Sequence, residues 1–142
     1  MWIETDYEYS QLSVKHNDAV KRVAQKINDY VSTVMPGDSA FSSFNNKKCA
    51  YVTFASPSYH FGLKTLTTSI RRHSNIPIIV LASRRWDFQP EASGIYLLAV
   101  PRLYNERYNS SRAEIKETLA KLWVFGLLAL DRVVFLELVH AG

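Results

Sequence analysis

The sequence predicts an α/β fold with a largely parallel, doubly wound sheet. Three observations predict it. From Cys49 onward, short apolar runs rich in β-branched and aromatic residues alternate with amphipathic stretches. The run over 76–81 is apolar without alternation, as in a parallel strand covered on both faces. Residues 115–137 pass from an amphipathic segment carrying Lys121, through Asp131 and Arg132, into a solid apolar run closed by Glu137. That order sets a carboxylate at the carboxyl end of a buried strand, where ligands bind in open α/β sheets.

The first 48 residues read as a separate piece, an amphipathic helix followed by a polar linker. Val20, Val23, Ala24, Ile27, Tyr30, Val31 and Val34 recur at helical spacing, and Lys21, Arg22, Lys26 and Asp29 fill the other face. Asn17 or Asp18 caps its start, and Pro36 with Gly37 ends it. Packing on the main body, lying on a membrane and binding a partner are all open to such a helix. Residues 39–48 are polar and join it to the second piece, 49–142.

In that second piece, residues 49–55 read as a first strand, and Ser56, Pro57 and Ser58 turn the chain. A helix follows over 59–73, with Tyr59, Leu63, Leu66 and Ile70 on one face. Its last turn holds Arg71, Arg72 and His73, cations that complement the helix dipole. The second strand covers 76–81, a short helix is expected over 87–92, and Gly94 precedes a third strand over 95–100. Residues 101–110 form a polar loop. Ser111 then caps a helix reaching about residue 130, with Glu114 at the capping-box position. The fourth strand covers 132–139.

With 142 residues the chain is long enough to bury a core. Apolar residues make up 47% and charged residues 21%, the balance of a globular protein and not of a disordered one. The formal charge of +4 is mild and spread along the chain, so nucleic acid is not implied; it suits a pocket for an anion, but an ordinary solvated surface is the better account of it. The sequence shows no apolar stretch of membrane-spanning length and no signal peptide, so the cytosol is the default location.

Phosphate-binding glycine motifs, the H-E-x-x-H pair and the G-x-S-x-G elbow are all missing. His16, His60, His73 and His140 fall at no metal-ligand spacing, and the single cysteine, Cys49, reads as a buried thiol. Any chemistry must therefore rest on strand ends.

Ala50, Tyr51, Val52, Thr53 and Phe54, then Tyr59, Gly62, Leu66 and the run from Ser69 to His73, resemble the opening of family 8 glycosyltransferases and their glycogenin-like relatives. Ile78, Ile79, Val80 and Leu81 are similar to that family's second strand. Thr118, Leu119, Lys121 and Leu122, then Leu127 and the run from Asp131 to Leu136, are similar to the helix and strand that deliver its metal-binding D-x-D. Each run is short, and their order carries the resemblance, over about residues 49–138.

The resemblance implies a Rossmann-like GT-A nucleotide-diphospho-sugar transferase fold, a UDP-sugar donor, retaining transfer and Mn²⁺ on the diphosphate. It implies that Thr53, Phe54 and the following loop contact the uridine and that Tyr59 lies against the uracil ring. The bland reading of Tyr59 is a helix-start aromatic in the core. Lys121 would reach the diphosphate; otherwise it is a lysine whose stem lies along apolar surface. The D-x-D falls at Glu137 and Val139. Glu137 keeps a carboxylate, Val139 cannot ligate, Leu138 replaces a usually small residue, and His140 points to the other face from Val139. Such a metal site is weak and incomplete.

Proteins of this family continue well beyond this point, so the expectation is a truncated, donor-binding half. Its fourth strand would lack a neighbour, leaving Val133, Phe135 and Val139 partly exposed and open to self-association through the sheet edge. The functional expectation is a glycosyltransferase-like protein that binds a UDP-sugar. The alternative is a non-catalytic remnant that binds nucleotide weakly or associates with a full-length relative. An unrelated Rossmann-like nucleotide-binding module has less support, because no glycine-rich turn follows the first strand.

Overall fold

The computed structural model describes residues 2–5, 11–34, 48–104, 123 and 131–137. Its element order is β1 (Trp2–Glu4), β2 (Gln11–Ser13), α1 (Asn17–Val34), β3 (Cys49–Phe54), a 3₁₀ turn (Pro57–Tyr59), α2 (His60–His73), β4 (Ile78–Ala82), β5 (Ile95–Ala99), β6 (Arg102–Tyr104) and β7 (Arg132–Leu136). Five strands form one sheet in the order β1-β5-β4-β3-β7, and every pairing in it is parallel. A second, two-stranded parallel sheet joins β2 to β6. The α/β class and the parallel sheet thus stand.

Parallel neighbours cannot be joined by a tight turn, so each connection must cross a face of the sheet. The alternation of side chains shows which face each helix takes. On one side Ala50 and Val52 of β3, Ile79 and Leu81 of β4 and Leu98 of β5 meet Ala19, Val23, Ile27 and Val31 of α1. On the other, Ile78 and Val80 of β4 and Leu97 of β5 meet Leu63 of α2, with Tyr51 and Ile70 half-buried beside them. All five residues of β4 are buried, which explains the run without alternation. Among the described residues no helix is long and apolar enough to cross a membrane.

The helix before residue 48 packs on the main body, the first of the places open to it. The stripe of α1 packs into the same cluster as the centre of the sheet, and β1 extends that sheet beside β5, pairing Trp2 with Leu97 and Glu4 with Ala99. Neither β1 nor β2 was expected, since three residues are too few to display a period of two. Thr5 closes β1 by donating both its amide and its hydroxyl to the Ala99 carbonyl, at 3.1 and 3.0 Å.

Three further expectations need correction. Residues 87–92 form no helix; Pro90 interrupts them, and the segment over 83–94 has neither helix nor strand. The expected loop over 101–110 opens with β6, whose Leu103 pairs with Leu12 of β2 in the α1-side core. The fourth strand ends at Leu136, with Glu137 following it. The helix expected over 111–130 lies outside the described residues except for Trp123, which is buried and donates its indole N–H to the Pro101 carbonyl at 3.0 Å.

Arg71 does more than complement a dipole. Its guanidinium donates to the Ser74 carbonyl at 2.9 Å and to the Ile76 carbonyl, clamping the turn from α2 into β4. Within α2, the buried hydroxyl of Thr67 is satisfied by the Leu63 carbonyl at 3.0 Å.

Two predictions follow from α1. Ile27→Ala removes a side chain that is 1% exposed and should cost ~2–5 kcal/mol. Urea unfolding followed by the emission of Trp86, on the opposite face of the sheet, in a Trp2→Phe and Trp123→Phe background should show that loss in one transition. A separate N-terminal piece would leave the Trp86 midpoint unchanged. Burial raises the Tyr30 phenol above its ordinary value of 10.0. The unfolded chain therefore gives up this proton first, so stability is whole below about pH 10 and falls as the pH rises beyond it. Tyr30→Phe should make the alkaline decline of the denaturation midpoint shallower.

Candidate functional site

A ligand site in a sheet of this kind is sought where the strand order reverses. The chain runs from β3 to β4 and on to β5 in one direction across the sheet, and β7 then lies on the opposite side of β3. The reversal therefore falls between β3 and β7, whose register sets Cys49 opposite Arg132 and Thr53 opposite Leu136. Their carboxyl ends bring together Thr53, the loop 55–59 and Glu137.

Thr53 is fully buried, and its hydroxyl has no hydrogen-bond partner among the described residues. A buried unsatisfied hydroxyl costs ~1–3 kcal/mol, so its presence at a strand end calls for a reason. Alternation sets it on the α2 side of the sheet, between Val80 and Leu136 in register. Phe54 takes the other side, half-buried against the α1 cluster. The two residues expected to act together on a uridine thus belong to opposite faces of β3.

The loop after β3 is tightly tied. The Ala55 amide donates to the Leu81 carbonyl at 2.9 Å, and the Tyr59 amide donates to the Ser56 carbonyl at 2.9 Å, closing the 3₁₀ turn. Pro57 suits the start of such a turn because its φ is already near the helical value. The Ser56 and Ser58 hydroxyls share a hydrogen bond of 2.7 Å. Tyr59 stands half-buried where the turn becomes α2, and no side chain caps that helix. The 3₁₀ turn takes up the first amide of that helix, since the His60 N–H donates to the Pro57 carbonyl.

Glu137 is exposed and follows Leu136, the register partner of Thr53. Lys121, Leu138, Val139 and His140 lie outside the described residues. Among the described residues no group of three or more His, Cys, Asp or Glu side chains could hold a metal ion. Among the described residues Glu137 is the one carboxylate at this strand end, and a protein-held Mn²⁺ takes several oxygen or nitrogen ligands. Cys49 is buried and free at the amino end of β3, the opposite end from this site.

Two arrangements were not foreseen. The first is a clamp at the amino ends of the same two strands. The Lys48 amide donates to a carboxylate oxygen of Asp131 at 2.8 Å, while the Asp131 and Arg132 amides donate back to the Lys48 carbonyl at 2.8 and 3.1 Å. This clamp sets the register that brings Thr53 opposite Leu136. The second is an aromatic group at the carboxyl end of β4. The Trp86 indole N–H donates to His60 Nδ1 at 3.0 Å, and the Trp2 indole N–H donates to the Trp86 carbonyl at 2.8 Å. The Trp86 ring lies 5.0 Å from that of Trp2 and 6.0 Å from that of Phe88, centroid to centroid. The only hint in the sequence was the density of aromatic residues over 86–88.

Val133 and Phe135 are half-buried against the α1-side core; it is Val134, on the other face, that is 51% exposed. Comparison of the chain with protein-family models, with curated proteins and with solved structures finds no match.

Asp131→Ala should loosen the β3–β7 start and lower stability by ~1 kcal/mol, read from denaturant midpoints. Asp131→Asn, which keeps an acceptor for the Lys48 amide, should recover most of that loss.

Proposed function

We propose that the chain is a glycosyltransferase-like protein that binds the nucleotide of a UDP-sugar at the carboxyl ends of β3 and β7. The observation that carries this reading is the unpartnered, fully buried hydroxyl of Thr53 at the point where the strand order reverses. That end of an open parallel sheet is the general place for nucleotides. The resemblance of the β3–α2 and β7 segments to family 8 glycosyltransferases supplies the substrate class. Tyr59, half-buried at the head of α2, offers a ring on which a base can stack, a contact worth ~1–3 kcal/mol. Lys121 is the proposed partner of the diphosphate and Glu137 of its metal. Retaining transfer of the sugar is the reaction proposed for it.

A second reading is favoured by the carboxylates. Glu137 is the one acidic side chain at this end of β7 among the described residues, and Val139 replaces the second. A nucleotide-binding protein without catalysis agrees with that donor set, and no step of the proposal runs through Mn²⁺. Association with another copy or a relative through β7 is the partner proposed for such a protein.

Thermal melts of the chain alone, with UDP and with UDP plus Mn²⁺ separate these readings. Ligand at 100 times its dissociation constant should add ~2.7 kcal/mol. A shift that requires Mn²⁺ and is lost in Glu137→Gln supports the transferase. A shift with UDP alone, unchanged in Glu137→Gln and lost in Tyr59→Ala, supports the nucleotide binder. No shift with either ligand, from a chain that melts cooperatively, would overturn both.

A further inference from the structure

We propose that residues 83–94 form a proton-sensitive strap whose latch is the Trp86–His60 hydrogen bond, closed while His60 is neutral and released when His60 is protonated. The segment runs from β4 to β5 as 12 residues without helix or strand. Unstructured connections of that length in a compact domain usually have a task. This one is held down at identifiable points. Phe88, 3% exposed, enters the α2-side core, and Trp86 packs half-buried between Trp2 and Phe88. The Trp2 indole holds the Trp86 carbonyl at 2.8 Å, and the Trp86 indole holds His60 Nδ1 at 3.0 Å.

That last bond depends on charge state. An indole N–H can only donate, so His60 must accept, and only a neutral imidazole has an acceptor nitrogen. An imidazolium offers two N–H groups, and Nδ1 would then face the indole hydrogen with one of its own. The same proton adds a cation to the first residue of α2, the positive end of the helix dipole. Histidine is the side chain suited to change state between about pH 5 and pH 8.

The charged and titratable groups on the elements packed around His60 are Lys64 on α2, with Arg71, Arg72 and His73 at the far end of that helix, Glu4 on β1, and Arg84, Arg85, Asp87 and Glu91 on the strap. Arg85 pairs with Glu4 at 3.1 Å, Lys64 pairs with Glu91 at 2.9 Å, and Asp87 accepts from Gln89 at 3.2 Å. The ion pairs and the Trp2 bond to the Trp86 carbonyl also join the strap to the body; solvent-facing pairs hold weakly, and of the indole bonds only the one from Trp86 to His60 has an acceptor that a proton removes.

The three tryptophans give the test its internal control, because each indole N–H has a different acceptor: Trp86 carbonyl for Trp2, His60 for Trp86, and Pro101 carbonyl for Trp123. In chain labelled with ¹⁵N-tryptophan, the indole signals are followed from about pH 7.5 to about pH 5. The Trp86 and Trp2 signals should move together towards the position of a non-bonded indole, while Trp123 stays in place. Trp86→Phe assigns the Trp86 signal. His60→Gln, which keeps an acceptor that does not titrate, should hold all the signals constant across the range. Movement of Trp86 alone would mean that the proton breaks the bond without freeing the strap, and the proposal falls. It also falls if no indole signal moves, or if the joint movement persists in His60→Gln.

Discussion

The structure depends on one constraint: β4 is buried along its whole length on both faces. A strand with no polar face must be covered above and below, so one helix has to lie on each side of the sheet. The stripes of α1 and α2 meet that need from opposite sides, through Val23, Ile27 and Val31 on one and Leu63 on the other. Covering both faces in turn forces crossover connections, and crossovers make the neighbours parallel. Parallel strands bring all their carboxyl ends to one edge, where loops are free to differ. The site at β3 and β7 is thus a by-product of how the centre of the sheet is kept dry.

What could be read from the sequence follows the same division. The strands β3, β4 and β5 were legible because each is five or six residues of apolar or β-branched character, and α1 and α2 because their stripes keep helical spacing. The three-residue strands β1, β2 and β6 carry no period, and only tertiary pairing makes them strands. Trp2 and Leu12 find their partners on β5 and β6, far along the chain, and no local pattern announces such a partner. The helix expected over 87–92 failed for a related reason. Trp86 and Phe88 are held by rings from β1 and α2, and Pro90 removes the continuity a helix requires.

The candidate site was legible in position more than in chemistry. Glu137 was recognised because an acidic residue closes an apolar run, and it does follow the strand that pairs with β3. Thr53 and Phe54, both expected at the nucleotide, lie on opposite faces of β3, since consecutive strand residues alternate. The Asp131–Lys48 clamp was invisible because it is made of backbone groups and one carboxylate separated by 83 positions. Its effect is to fix a register, and a shift of one residue there would turn Thr53 to the other face.

The pairing of β1 with β5 has a consequence for how the chain reaches this state. The hydroxyl of Thr5 bonds the Ala99 carbonyl across 94 positions, and Lys48 meets Asp131 across 83. Contacts so distant along the chain are costly to close, and folds dominated by them form slowly. Trp2, Ile3 and Glu4 are made long before β5 and must wait for it before they have a neighbour, and the stripe of α1 must wait for β3 and β4. Throughout that interval the amino-terminal segment presents apolar surface without its own core, which makes it the stretch that a holding chaperone would meet.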